Sequence, residues 1–210
     1  MTPILKKGTL RWILRPGQWV LGAAAVLMLG YCGFVLADTW MFQNRERRLL
    51  DHMLHDRQAA NSGALSIAYT ASPKNPLPAS THGLIGRLEI PRLGLSAIVI
   101  EGTNGRTLRR AVGHIPGTAL PGQPGNVGIS GHRDTFFRPL RNIQRNDIIT
   151  LTTVLGEFRY RVVSTRIVSP SNVAVLDPGG NEMLTLVTCY PFYFVGSAPN
   201  RFIVKAERVT

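Results

Sequence analysis

An unbroken apolar segment from Trp19 to Ala37 gives the strongest hydropathy signal in the chain, because none of its residues carries a formal charge. At about 1.5 Å of helical rise per residue, the segment nearly spans a hydrocarbon core about 30 Å thick. Residues 1–17 contain four Lys or Arg and no acid. The positive-inside rule therefore predicts a cytoplasmic basic tail over residues 1–17, with everything after Ala37 outside the cytoplasm.

A cleaved signal peptide is the alternative interpretation of this segment, since Val35-Leu36-Ala37 is an acceptable cleavage site. The apolar run is longer than the roughly 7–15 residues of a signal core. We therefore expect an uncleaved, single-pass transmembrane signal-anchor over residues 18–37, which makes the membrane itself a partner.

The residues after the anchor change in character twice. Apolar residues recur at roughly helical spacing through residues 40–60, with charges between them, which predicts a juxtamembrane helix. A stalk or packing helix is favoured over a helix that lies on the membrane surface. Residues 61–82 are rich in Ala, Ser, Asn and Pro, a composition typical of a linker. Residues 38–82 are thus predicted to be a helix and a linker.

Residues 83–210 consist of short, β-branched apolar runs separated by Gly and Pro. Two short helices are expected, over residues 106–112 and 136–143. Strands are predicted at residues 87–90, 97–100, 127–130, 147–153, 158–168, 183–189 and 202–208. Seven or eight strands with few helices indicate a single all-β barrel or sandwich.

Composition and charge exclude several classes of protein. With 44% hydrophobic and 17% charged residues, the chain is too apolar to be disordered. Two Cys residues exclude a disulfide scaffold and a Cys₄ zinc site within one chain. The net charge is +12, but the Arg residues of the outer domain are scattered and no nucleic-acid motif accompanies them. Nucleic acid is therefore not an expected partner.

Cys189 is a candidate reactive thiol. It ends the apolar run 183–188, so the strand would deliver it to a barrel rim, and Cys32 lies within the membrane segment and cannot pair with it. A buried structural Cys is the alternative. A thiol nucleophile needs a proton partner, usually His. Two candidates stand in Gly-flanked turns, His132 and His114, and spacing alone does not decide between them.

Two charged residues complete the candidate site. Arg201 opens the last predicted strand, where a fixed cation could stabilise an oxyanion or hold a substrate carbonyl; a solvated Arg is the alternative. Asp134 could orient an imidazole, but an ion pair with its neighbour Arg133 is the favoured interpretation.

Three motifs together resemble those of the sortase family. Thr185-Leu186-Val187-Thr188-Cys189 matches the sortase TLxTC signature, Gly131-His132-Arg133-Asp134 resembles the histidine motif, and Asn200-Arg201-Phe202-Ile203-Val204 resembles the arginine strand. His132 precedes Cys189 and Arg201 follows it closely, in an order and at a spacing that fit the family. The similarity covers about residues 83–210, and the Cys-Tyr-Pro-Phe continuation is most similar to class D.

The resemblance implies an eight-stranded sortase-type β-barrel with short helices and the activity of a cysteine transpeptidase. Cys189 would be the nucleophile, His132 the general acid and base, and Arg201 the oxyanion or substrate clamp. Thr188 and Asp134 become candidates for substrate binding, and His114 takes a structural role.

The same resemblance implies a function at the cell envelope that requires no metal or organic cofactor. The enzyme would cleave an LPxTG-like sorting signal, located near the C-terminus of a protein substrate, after its Thr. It would then transfer the protein to an amine acceptor, such as an envelope peptide or a pilin lysine. A thiol hydrolase or protease on the same residues is one alternative, and a non-catalytic surface binding module is another.

Overall fold

The computed structural model describes residues 7–63, 83–179, 182–194 and 196–209. The chain divides into two compact units, and the division falls between Met41 and Phe42. The first unit belongs to helix α1 (Lys7–Gly63), which is long and apolar enough over Gly17–Gln58 to cross a membrane. Its large apolar side chains between residues 19 and 36 are exposed, as expected of a helix that contacts lipid. This helix is a candidate membrane anchor. The linker predicted over residues 61–82 lies mostly outside the described residues.

The second unit contains the rest of α1, and here the helix packs on the outer domain. Leu50 is fully buried in a cluster with Ile98, Ile100 and two other apolar residues. The side-chain amide of Gln43 accepts a hydrogen bond from the backbone N–H of Ile98 (3.0 Å) and donates one to the carbonyl of Arg110 (2.6 Å). The helix predicted over residues 40–60 therefore packs against the strands, and the second compact unit runs from Phe42 to Thr210.

Within the described residues, eight strands form a closed barrel in the order β1-β2-β3-β4-β7-β8-β6-β5. This architecture confirms the predicted all-β fold. Their bounds are β1 Leu84–Ile90, β2 Leu95–Glu101, β3 Val112–His114, β4 Asn126–Ser130, β5 Ile148–Thr153, β6 Gly156–Val168, β7 Met183–Tyr190 and β8 Asn200–Val209.

The core fills the barrel because side chains alternate along each strand. Two neighbouring strands show the pattern clearly: Leu184 and Leu186 of β7, and Val204 and Ala206 of β8, all belong to the main core cluster. The residues between them therefore lie on the outer face of the barrel. This alternation decides which residues of β7 and β8 can meet a substrate.

Three local predictions differ from the structure. Helix α2 runs over Gly105–Arg110, shorter than the predicted 106–112, because Ala111 is already extended and the chain enters β3. The short strand β3 was not predicted, since it has too few residues to show alternation. The second predicted helix, over residues 136–143, is a 3-10 helix at Arg138–Asn142.

Candidate active site

Strand β7 carries Cys189 and lies between β4 and β8. It pairs in parallel with β4, where Ser130 faces Val187, and antiparallel with β8, where Cys189 faces Arg201 directly. The connection from β7 to β8 is short, so the chain turns back and brings Cys189 and Arg201 side by side. Directly paired residues in a sheet lie on the same face, so Cys189 and Arg201 share a face.

His132 lies just past the end of β4, the strand that pairs in parallel with β7. The backbone beyond Ser130 still follows β7, because the N–H of Gly131 donates to the carbonyl of Val187 (3.1 Å). Each pair of residues in β4 and β7, such as Ser130 and Val187, has the same separation in sequence as His132 and Cys189. If this register continued past the end of β4, His132 would lie opposite Cys189.

The turn that carries His132 is held by a close approach to Phe137 and by a backbone hydrogen bond. A Cβ at Gly131 would lie 2.8 Å from a ring carbon of Phe137, so only glycine lets the turn pass this buried ring. The backbone N–H of Phe137 donates to the carbonyl of His132 (3.0 Å). Together these contacts fix the backbone from which the imidazole projects.

Alternation along β7 separates the roles of neighbouring residues. Cys189 takes the outer face and is half-buried, with a free thiol. Thr188 takes the opposite face, is only 2% exposed, and donates its hydroxyl to the carbonyl of Gly131 (2.8 Å). On the other side of Cys189, Tyr190 stacks on Phe202, with ring centroids 6.4 Å apart. Cys189 thus lies between Thr188 and Tyr190, whose inward-facing side chains hold this end of the strand in place.

Arg201 and His132 are also half-buried, so all three residues remain accessible from outside. The Nη1 group of Arg201 donates to the carbonyls of Ala198 (3.3 Å) and Asn200 (3.0 Å). Its Nε and Nη2 groups have no hydrogen-bond partner among the described residues. The guanidinium is therefore anchored at one nitrogen and retains donors for a substrate oxygen.

The connection between β6 and β7 forms a wall beside the outer face of β4 and β7. The Asn126 side chain donates to the carbonyls of Val175 (3.2 Å) and Asp177 (3.3 Å) and accepts from the hydroxyl of Thr185 (2.7 Å). A side chain at Gly128 would meet Leu176 at 3.2 Å, so the strand and the wall lie close together. The connection therefore covers part of the outer face of β4.

Positive charge continues from Arg201 along the outer face of β8. Lys205 lies further along the same face, and burial lowers its pKa from the ordinary lysine value. Arg166 on β6 lowers the pKa of Lys205 further, and Asp177 raises it. The outer face of β8 therefore carries positive charge near Arg201, with Asp177 as a nearby acid.

His114 has a structural environment. It is 3% exposed, and its Nδ1 lies 2.8 Å from a carboxylate oxygen of Glu101. Its Nε2 lies 3.0 Å from both the carbonyl of Ala119 and the hydroxyl of Thr118. Both ring nitrogens of His114 therefore have partners within the fold. His114 and His132 thus differ in burial, a difference that their spacing in the sequence does not reveal.

The prediction of an ion pair between Arg133 and Asp134 is wrong. Arg133 instead donates to backbone carbonyls in the connection between β7 and β8, and Asp134 is exposed. Sequence reasoning missed this use of Arg133, because its partners lie far along the chain. The described parts of the chain hold no cluster of His, Cys, Asp and Glu suited to a metal ion.

Comparison with known proteins identifies the family. A profile of the sortase domain matches residues 88–209, more than half of the chain. The chain therefore belongs to the sortase family, and it is a cysteine transpeptidase of that family.

Similar proteins include the class expected from the sequence. Sortase D of Bacillus subtilis strain 168 is 35% identical over 190 residues, which cover 90% of this chain and 95% of that protein. The structure of a Clostridium perfringens sortase D5 transpeptidase matches with a TM-score of 0.62 at 24% identity, over 80% of this chain and 99% of that one. Sortase A from Corynebacterium diphtheriae matches with a TM-score of 0.59 at 27% identity, over 78% and 85% of the two chains. The match to sortase D confirms the likeness to class D, and the two structures confirm the barrel fold.

Proposed function

We propose that this sortase cleaves an LPxTG-like sorting signal after its Thr and transfers the protein to an amine acceptor at the cell envelope. The observation that carries the proposal is the strand register, which pairs Cys189 of β7 directly with Arg201 of β8. His132 follows the end of β4, the other neighbour of β7. A nucleophile, an acid–base and a fixed cation are the parts that acyl transfer needs.

The first half-reaction would make a thioester. The sulfur of Cys189, as thiolate, bonds to the carbonyl carbon of the signal Thr, and the donors of Arg201 stabilise the negative charge on its oxygen. The C–N bond then breaks, and His132 gives its proton to the departing amine. The acyl group remains on Cys189.

The second half-reaction would return the enzyme to its starting state. An amine attacks the thioester carbon and loses its proton to His132, and the C–S bond breaks to release the thiolate of Cys189.

Thr188 and Asp134 take different places in this proposal. Thr188 is buried and its hydroxyl is engaged with Gly131, which favours a role in holding the His132 turn over direct contact with substrate. Asp134 is exposed beside that turn, where its carboxylate remains available to a basic group of the substrate.

Hydrolysis on the same three residues is the second candidate, because Cys189 and His132 are half-exposed and water can reach a thioester there. Product analysis separates the two candidates. We expect a Leu-Pro-X-Thr-Gly peptide, incubated with the full-length chain in detergent and an added amine such as triglycine, to yield mainly the amine adduct. A product that is the free acid at every amine concentration would support the hydrolase and contradict transfer.

The basic tail and the apolar part of α1 support a single-pass orientation with residues 1–17 in the cytoplasm. We expect a membrane-impermeant maleimide to label Cys189 on intact spheroplasts. A chain carrying Thr9→Cys, with Cys32→Ala and Cys189→Ala, should be labelled only after lysis. The reverse pattern would overturn the orientation, and a mature N-terminus at Asp38 would show that the anchor is cleaved.

A further inference from the structure

The residue after the candidate acid–base reaches across the site. Arg133 donates through Nη1 to the carbonyl of Pro191 (3.0 Å), and through Nη2 to the carbonyls of Phe194 (2.6 Å) and Gly196 (3.0 Å). Its guanidinium carbon also lies 5.8 Å from the ring centroid of Phe194. One side chain thus binds three carbonyls of the connection that joins β7 to β8, which we term the β7–β8 loop (residues 191–199).

The β7–β8 loop is bound by Arg201 at its other end. The carbonyls of Ala198 and of Asn200, the first residue of β8, accept from the Nη1 group of Arg201. The backbone that anchors the Arg201 guanidinium is therefore continuous with the backbone that Arg133 holds. A change in the Arg133 contacts would pass to Arg201 through a short stretch of backbone.

We propose that Arg133 is a positioning residue that couples the turn carrying His132 to the β7–β8 loop, and so keeps His132 and Arg201 aligned on either side of Cys189. The inference rests on the proposed roles of His132, Cys189 and Arg201. It assigns to Arg133 no contact with substrate.

The contacts require an arginine in particular. A guanidinium is planar and offers five donors in a rigid fork, while an ammonium is a compact charge on a flexible stem. Three carbonyls approached through two nitrogens, with an aromatic ring beside them, fit the fork. Lysine at this position would keep the charge but lose the geometry.

A second arginine makes a weaker contact to the same loop. Arg141 donates to the hydroxyl of Tyr193 (2.8 Å), and its guanidinium lies 5.5 Å from that ring centroid. Tyr193 is 78% exposed, so solvent competes for this contact. Arg141 therefore supports the loop without replacing the three backbone bonds of Arg133.

The test compares Arg133→Gln and Arg133→Lys with Arg138→Gln, in the full-length chain in detergent. Arg138 is an exposed arginine a little further along the same segment, so its variant removes the same charge nearby. Using Leu-Pro-X-Thr-Gly peptides and an amine, we expect kcat to fall by about tenfold to hundredfold in both Arg133 variants, the range that a small misplacement of catalytic groups produces. KM should change much less, and Arg138→Gln should match the parent chain.

A substrate-free readout keeps this inference separate from the proposed function. In a Cys32→Ala background, Arg133→Gln should change the rate at which iodoacetamide alkylates Cys189, in the same direction as His132→Ala does. Hydrogen exchange over the β7–β8 loop should become faster. If the parent chain transfers no peptide, the proposed function fails while these two measurements still test Arg133.

Three results would overturn the positioning role. One is a parent-like kcat and alkylation rate in Arg133→Gln. Another is full rescue by Arg133→Lys, which would reduce Arg133 to a charge. A lower melting temperature with unchanged kcat in the folded fraction would also contradict the proposal, since it would show a purely structural residue.

Discussion

Cys189→Ala is expected to abolish transfer to the amine, because no other thiol of the chain lies outside the apolar segment. His132→Ala is expected to lower turnover by about 10²- to 10⁴-fold, the usual contribution of a positioned acid–base. Cys189 and His132 act together in the same bond-making and proton-transfer steps, so the losses of turnover from the two substitutions should not add. The double variant should be no worse than Cys189→Ala alone. Rates of peptide transfer by the full-length variants measure all three effects.

His114→Ala is the matched control for the histidine assignment. Its ring is buried against Glu101 and Thr118, so its loss should lower the melting temperature and leave the turnover of the folded fraction near that of the parent chain. Full activity in His132→Ala together with loss in His114→Ala would reverse the assignment of the two histidines.

Arg201→Lys is expected to lower kcat by about 10²- to 10³-fold while the fold stays intact, the range seen when one oxyanion donor is removed. The substitution keeps the charge and loses the planar fork, and the position faces Cys189 directly in the strand register. Arg208→Lys, at the far end of the same strand, is the control. Arg208 donates to the carbonyl of Arg159, and its variant should turn over at the parent rate. A parent-like rate in Arg201→Lys would leave Arg201 as a point charge or a bystander.

The strands were predictable where the signal is local. Runs of β-branched and aromatic residues such as Phe158–Val168 mark β6, because these side chains fit the pleated surface of a sheet. β3 (Val112–His114) carries no such signal: it exists because it pairs with β2 and β4, which are supplied by other parts of the chain. Its existence is a property of the closed barrel.

The packing of α1 was only partly visible in the sequence. Periodicity indicated a helix with an apolar face but not the surface which that face covers. The continuous apolar run Ala97-Ile98-Val99-Ile100 held the missing signal, since a strand buried on both faces loses its alternation. Ile98 and Ile100 cover Leu50 of the helix, while Ala97 and Val99 fill the barrel.

The candidate site illustrates the same limit. Cys189 and Arg201 meet through the antiparallel register of β7 and β8, and no residue near Cys189 in the sequence indicates that β4 runs parallel beside β7. The choice between His132 and His114 therefore needed either the family resemblance or the fold. The predicted ion pair between Arg133 and Asp134 is wrong for the same reason. Asp134 is the adjacent acid in the sequence, whereas the carbonyls that Arg133 binds belong to the distant β7–β8 loop.

The intact mass of the enzyme during turnover tests the central claim most directly. The full-length chain with Cys32→Ala, which leaves Cys189 as its single thiol, is mixed with a Leu-Pro-X-Thr-Gly peptide without added amine, quenched in acid and weighed. We expect a mass increase equal to the peptide portion that ends at Thr, mapped to Cys189, released by hydroxylamine and absent after Cys189→Ala. Cleavage of the peptide with no adduct on Cys189, or an adduct that persists in Cys189→Ala, would contradict the thioester mechanism.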